Sequence, residues 1–415
     1  TYGGTAQGAI GSGLYSLIPS GLTSGNYALS YTNGSLAVWK ASAIVTANSD
    51  TYIYNGTHQS VSGFSVSGLV NGETASVLTG VSTTGGATQA GTYTTSASGT
   101  DPNYSLSFID GTLTIAKAPL TVTALNASKT YDGLSYSGGE GVSFTGFVPG
   151  ENRSVLAGTV SYSGTSQGAK NAGSYIITPA GLTSNNYDIT YVDGGLNIAK
   201  AQATVTAKSY TYTYDGTQQT VSGFTTTGLV NGETNAVLTG VTASGSGKNA
   251  GTYSTIASGV DQNYTLSFID GTLIIQPKTL TISGSTVSAR AYDGTTLLSS
   301  QAGSLIGLIN PEQLTVSSSA TSGSKNAGIQ TATLVYTLTD GANGGLASNY
   351  TLANTTTSVL ISPKALTISG TSVLDKIYDG SRLINATSGM ITGYVDNFET
   401  VTVSPQALAN SKNVG

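Results

Sequence analysis

The strongest constraint on this chain is that it repeats itself. A Tyr-Asp/Asn-Gly motif stands at Tyr54-Asn55-Gly56, Tyr131-Asp132-Gly133, Tyr214-Asp215-Gly216, Tyr292-Asp293-Gly294 and Tyr378-Asp379-Gly380, at successive spacings of 77, 83, 78 and 86 residues. A second marker follows each one. Gly68-Leu69-Val70-Asn71-Gly72-Glu73 returns as Gly146-Phe147-Val148-Pro149-Gly150-Glu151, Gly228-Leu229-Val230-Asn231-Gly232-Glu233 and Gly307-Leu308-Ile309-Asn310-Pro311-Glu312, with a looser copy at Gly393-Tyr394-Val395-Asp396-Asn397. A third is a turn before a glycine, at Gln89-Ala90-Gly91, Asn171-Ala172-Gly173, Asn249-Ala250-Gly251, Asn326-Ala327-Gly328 and Asn413-Val414-Gly415. A fixed period of this length signals an array of small units and not one large domain.

The segment from Thr1 to Ala9 aligns with Ser161 to Ala169, so the sequence enters in mid-repeat, and it stops at a turn marker, again in mid-repeat. A window on a longer array is the expectation, with any secretion signal outside it. The expected domains are a partial repeat at 1–41, repeats at 42–118, 119–201, 202–278 and 279–364, and a partial repeat at 365–415. The units at 51–117 and 211–278 match most closely, and the type shifts after Lys278.

Each unit reads as all-β. In Tyr264-Thr265-Leu266-Ser267-Phe268-Ile269 apolar and polar residues alternate, then Asp270-Gly271 intervenes before Thr272-Leu273-Ile274-Ile275. Asp-Gly between two such runs predicts a two-residue hairpin, because a type I′ turn needs positive φ at both positions. Tyr264, Leu266 and Phe268 would then share the core face. No stretch holds a sustained helical period, which leaves room for at most a short helix per repeat. The expected fold class is an all-β, linear tandem array of β-sandwich or β-grasp-like repeats. Leu113-Thr114-Ile115 ends one unit and Leu120-Thr121-Val122 opens the next, with no flexible linker between. Neighbouring units should therefore not swing freely, and five of them, each roughly 30 Å across, would make a rod of at least ~150 Å.

Composition removes most other functions. Only 8% of the 415 residues are charged, and a net charge of −5 gives no footprint for nucleic acid. No apolar run approaches the ~18 residues that would cross a bilayer. The 55 glycines show no period of three, which excludes collagen. With 38% hydrophobic residues the chain has enough to bury, which argues against disorder. Zero cysteines exclude disulfides and thiolate zinc sites, and a single histidine, His58, cannot supply a multi-histidine metal centre. No enzyme is expected.

The recurring chemistry lies in three residue types. Glu73, Glu151, Glu233 and Glu312 return with the array, as calcium ligands or as carboxylates capping turn amides; the acidic residues are scattered, against the clustered oxygens calcium prefers. Paired carboxylates for glycoside hydrolysis would have to be assembled across repeats. Lys40, Lys117, Lys200, Lys278 and Lys364 mark the junctions and raise a Lys–Asn isopeptide bond, which needs a buried, desolvated lysine. Tyrosine is the preferred aromatic, 24 residues against seven Phe and one Trp. Tyr52/Tyr54 and Tyr212/Tyr214 lie at i, i+2 and face one side of a strand, either as core or as a glycan-stacking platform. His58 is matched by Gln218 in the sister repeat, a solvated polar position, and the sequons at Asn33, Asn55 and Asn126 are expected by chance in so Asn- and Thr-rich a chain.

The Tyr-Asp-Gly openings, Gly-Leu-Val-Asn-Gly-Glu turns, Asn-Ala-Gly turns and Asn-Tyr…Asp-Gly-Thr-Leu-Thr-Ile endings together resemble MBG-type and YDG-type repeats of filamentous-haemagglutinin-like, two-partner-secreted bacterial surface adhesins. The resemblance spans essentially the whole chain, with Asn55 in place of the opening Asp and Thr355-Thr356 where one Asp-Gly would stand. It implies export to the bacterial cell surface and a part in adhesion, aggregation or biofilm matrix, and it carries over no catalytic, cofactor or metal residues. A structural stalk is the leading expectation; an exopolysaccharide-binding module and a self-assembling filament are the alternatives. The partners expected are surface or matrix polysaccharide or neighbouring copies of the chain, with no nucleic acid and no membrane insertion.

Overall fold

The computed structural model describes residues 1–395 and 399–413. Asp396 and Asn397 of the last Gly-Tyr-Val-Asp-Asn marker, and Val414 and Gly415 of the last turn marker, lie outside the described residues. The chain forms two compact units, one of Thr1–Ala201 with Val230–Gly232 and Gln262–Tyr264, the other of Gln202–Leu229, Glu233–Asp261 and Thr265–Gly415. The fold is nearly all-β, 52% strand and 3% helix. Single 3-10 turns supply the helix, at Ala75–Val77, Arg153–Val155, Asn235–Val237 and Ala347–Asn349.

In the first unit, the repeat after Lys117 shows the plan. Its strands are β1 (Ala118–Ala124), β2 (Ala127–Thr130), β3 (Val142–Thr145), β4 (Ala157–Ser163), β5 (Gly173–Thr183), β6 (Tyr187–Val192) and β7 (Gly194–Ala199). One sheet has the order β3-β1-β6 and the other β2-β7-β5-β4. β1 runs parallel to β6 with Ala118 opposite Tyr187, and β2 runs parallel to β7 with Ala127 opposite Leu196. Along β1 every second side chain is buried, Ala118, Leu120, Val122 and Ala124, while the threonines between them face outward. Leu120, Val122 and Tyr187 of the first sheet share one cluster with Leu182 of the second, so the sheets close face to face as a sandwich.

The Asp-Gly hairpin expected from the sequence is not formed. β6 and β7 flank Asp193-Gly194 but belong to different sheets, and the strands Tyr104–Ile109 and Gly111–Ala116 separate in the same way. The step is a kink that carries the chain from one sheet to the other. β1 and β2 make the same step beside it, at Leu125-Asn126. Glycine is needed for close approach and not for a left-handed turn. A Cβ at Gly194 would lie 2.6 Å from the Ala124 carbonyl oxygen, and one at Gly271 would lie 2.6 Å from the carbonyl oxygens of Ala207 and Lys208 and from the Thr255 hydroxyl. Gly271→Ala is therefore expected to cost about 1–3 kcal/mol through backbone displacement, read as a lower urea midpoint; an unchanged midpoint would mean that the kink gives way freely.

The alternation also misplaces one core residue. Tyr264 is buried and Leu266 half-buried, but Phe268 is 37% exposed because its strand runs past the end of the core. The left-handed Asn-Gly turn sits elsewhere, at Asn71-Gly72 and Asn231-Gly232, where both residues have positive φ. That turn delivers Glu73 and Glu233, whereas Glu151 and Glu312 follow Pro149-Gly150 and Asn310-Pro311.

In the second unit the strands Tyr210–Thr213, Gly271–Gln276, Gly251–Gly259, Val241–Gly247 and Gln219–Ser222 form a five-stranded sheet. The following repeat pairs Lys278–Ser283 with Ser304–Ile306 and with Tyr350–Leu352, beside its own five-stranded sheet.

Candidate functional site

The residues that recur with the array meet where one repeat joins the next. In the first unit, Tyr54 of one repeat donates its hydroxyl to Glu151 Oε1 at 2.5 Å, and Tyr187 of the next donates to Glu151 Oε2 at 2.5 Å. One carboxylate thus holds two tyrosines from two repeats. The tyrosine rings meet edge to face with centroids 5.6 Å apart, and Tyr187 Oη also accepts the Val148 amide at 3.0 Å. The second unit repeats this: Tyr214 and Tyr350 (2.6 Å) both donate to Glu312, their rings 5.4 Å apart at 82°, and the Ile309 amide donates to Tyr350 Oη. Tyr104 donates to Glu73, and Tyr292 to Glu399.

A second latch lies beside the clamp. The asparagine preceding each such tyrosine accepts, through Oδ1, a backbone amide from the turn of the preceding repeat: Ser12 to Asn103 (2.8 Å), Ala90 to Asn186 (3.0 Å), Ala172 to Asn263 (2.9 Å) and Ala250 to Asn349 (2.7 Å). That turn is pinned by another tyrosine, with Tyr15, Tyr93, Tyr175 and Tyr253 each donating to the carbonyl four residues earlier. The asparagine's own carbonyl takes the amide of the connecting segment, from Ala41, Ala118 and Ala201.

Apolar side chains close the joint. Tyr54, Leu113 and Ile115 of one repeat and Leu120, Val122, Leu156, Leu182 and Tyr187 of the next form a single buried cluster. In the second unit, Tyr214, Val221, Leu273 and Ile275 share one with Leu280 and Tyr350.

The sequence-derived candidates are placed by this geometry. Tyr54 and Tyr214 are only 5% and 2% exposed, so as glycan-stacking residues they are corrected: their rings face the joint and offer no free face to a sugar. Tyr52 and Tyr212 are half-buried, and Tyr52 packs against the same cluster as Tyr54. In Glu151 and Glu312, expected to cap turn amides, both carboxylate oxygens are engaged by tyrosine hydroxyls instead. Among the described residues no three His, Asp or Glu side chains form a metal-ligand group. Lys40 and Lys117 donate to the carbonyl oxygens of Asp101 (2.6 Å) and Ser184 (2.9 Å), contacts that hold a loop. His58 is exposed. The asparagine latch carried no role in the sequence reading, although the Asn-Tyr dipeptide recurs at Asn103, Asn186, Asn263 and Asn349 and marks it.

The clamp sets its own pH range. The hydrogen bond to Glu151, with burial, pushes the Tyr54 phenol from 10 up to about 12, and burial with the Glu312 bond pushes Tyr350 to about 12. Tyr187 and Tyr214 are raised chiefly by burial. Below pH 10 the phenols are protonated in folded and unfolded chain alike, so the clamp contributes in full. Above it the unfolded chain ionises first, and the contribution is lost as pH passes about 12. An alkaline absorbance titration should show a late-ionising set of tyrosines whose ionisation coincides with loss of β circular dichroism. Ionisation of all 24 tyrosines in one step near pH 10 would contradict it.

Fold and joints together define a class, a tandem array of small β domains whose recurring residues connect one domain to the next. The chain belongs to the MBG domain family, YGX type, which matches residues 43–114, 120–197 and 203–274, over half of its length, and it continues in YDG domains at 276–358 and 362–415. These are structural, adhesin-type repeats and not enzymatic families. No curated protein matches the chain. Solved structures similar to it include Drosophila N-cadherin EC1-4, at 9% identity over 66% of this chain and 83% of that one with a TM-score of 0.19. Another is a protocadherin gammaB7 EC3-6 cis-dimer, at 11% identity over 76% of this chain and 98% of that one, TM-score 0.19. Likeness at that level carries no argument about this chain. No helix among the described residues is long and apolar enough to cross a membrane.

Proposed function

We propose that this chain is a stalk segment of a large repetitive bacterial surface adhesin, exported to the cell exterior and acting by holding a distant binding element away from the cell. The observation that carries the reading is the joint: two tyrosines on one carboxylate, an asparagine latch and a shared apolar cluster, with Lys117 alone between the last strand of one repeat and the first of the next. Such a joint resists bending because bending must separate buried groups that have no water to replace the lost bonds. Small-angle scattering tests it. A stalk of five ~30 Å repeats gives a maximum dimension of at least ~150 Å, shortened when Gly-Ser residues are inserted between Lys117 and Ala118. A dimension well below that in the unaltered chain would sink the stalk reading. A polysaccharide partner is a separate proposal, tested by co-sedimentation with the producing organism's exopolysaccharide; binding lost in a Tyr52→Ser/Tyr212→Ser variant would place the glycan on these half-buried rings.

A further inference from the structure

We propose that the joint tyrosines are sites of oxidative cross-linking, each pair joining through a Cε–Cε bond into a dityrosine that locks one repeat covalently to the next. Three ring pairs among the described residues cross a joint edge to face. They are Tyr54–Tyr187 with centroids 5.6 Å apart at 78°, Tyr131–Tyr264 at 5.4 Å and 79°, and Tyr214–Tyr350 at 5.4 Å and 82°. In two of them the hydroxyls end on one carboxylate. Tyr54 and Tyr187 donate to the two oxygens of Glu151, both at 2.5 Å, and Tyr214 and Tyr350 to the two oxygens of Glu312. A shared carboxylate draws the hydroxyl ends of the two rings together, and the Cε carbons adjoin those ends. An oxidised phenol carries its unpaired electron on the oxygen and on these ortho carbons, so the clamp converges the atoms that couple. The chain has no cysteine, so no disulfide is available to do the same.

The carboxylate has a second part in the step. A phenol gives up an electron more readily when its proton leaves at the same time, and Glu151 is hydrogen-bonded to both hydroxyls as the acceptor. The oxidant is hydrogen peroxide acting through a haem peroxidase, which takes one electron from each tyrosine. The two hydroxyl protons leave in turn through the carboxylate to solvent, and the peroxide ends as two waters. The two phenoxyl radicals then form the Cε–Cε bond, and each coupled carbon yields its hydrogen to the oxygen of its own ring, which restores both phenols. Each joint gains one carbon–carbon bond and loses two hydrogens. Burial does not stop the electrons. Tyr52 and Tyr93, half-buried, pack against the cluster that holds Tyr54 and Tyr187, and Tyr212 and Tyr253 do so beside Tyr214 and Tyr350. Oxidation begun at these rim tyrosines passes inward from ring to ring, and the buried radical then meets its clamp partner before any solute. This rests on the geometry of the joint and holds whether or not the chain is a stalk.

The test is to treat the full 415-residue chain, dilute, with hydrogen peroxide and a haem peroxidase, and to map linked tryptic peptides by mass spectrometry. Tyr54 should be found joined to Tyr187 and Tyr214 to Tyr350, each linked pair two hydrogens lighter than the sum of its peptides. Dityrosine fluorescence should run with the single chain on a denaturing gel. Tyr54→Phe should lose the first link and keep the second. Tyr210 and Tyr212 are the comparison within the same molecule. Their rings lie closer, at 4.6 Å, but the Tyr212 hydroxyl goes to the Thr220 carbonyl and not to a carboxylate. Linkage there in preference to the clamp pairs overturns the proposal. So does oxidation that consumes exposed tyrosines and leaves the clamp pairs unlinked, or dityrosine found only between separate chains.

Discussion

Glu151→Ala is expected to loosen the joint it holds by about 3–6 kcal/mol, from two hydrogen bonds to a charged group at roughly 1.5–3 kcal/mol each. Both tyrosine hydroxyls then lose their acceptor in a buried place. The readout is amide exchange in the full chain at Val148, whose N–H meets Tyr187 Oη, and at Ala90, whose N–H meets Asn186. Exchange there should quicken by about a hundredfold or more. Tyr54→Phe removes one bond and should cost about half as much, as should Glu73→Ala, which releases the Tyr104 hydroxyl. Exchange unchanged at both amides in Glu151→Ala would show that the apolar cluster alone holds the repeats together.

The second large effect comes from that cluster. Leu113 is fully buried among residues of two repeats, so Leu113→Ala should cost about 2–5 kcal/mol and be felt beyond its own repeat, as faster exchange at Leu120 and Val122 in β1. Leu78→Ala is the control. Leu78 is as deeply buried, but its cluster with Ala43, Val45, Ala47, Ala97 and Tyr104 belongs to one repeat. Its loss should stay within residues 41–116. Equal spread from both variants would mean that the repeats unfold as one unit whatever is removed.

Joints of this kind bear on how repeat arrays are built. Stability in an array is a sum of intrinsic and neighbour contributions. Here the neighbour contribution is concentrated in a few residues that each repeat supplies twice, once as donor and once as acceptor. Tyr54 reaches forward to Glu151, and Asn186 reaches back to Ala90. The markers keep their order while the spacing between repeats varies from 77 to 86 residues.

The sequence by itself determined the array, its all-β character and the positions of its markers, because periodicity and alternation are local properties that survive without knowledge of neighbours. It also placed the glutamates, tyrosines and junction lysines as the recurring chemistry. Only the tertiary structure decided what they do. Asp193-Gly194 looked like a hairpin because local residue type cannot say whether two strands pair with each other or with strands that lie elsewhere in the chain. Tyr54 and Glu151 stand 97 residues apart, and nothing in either local sequence states that one carboxylate will serve tyrosines from two repeats. That partnership arises only when β1 is laid parallel to β6 and the preceding repeat steps between sheets at Asp110-Gly111, which brings the end of that sandwich against the start of the next.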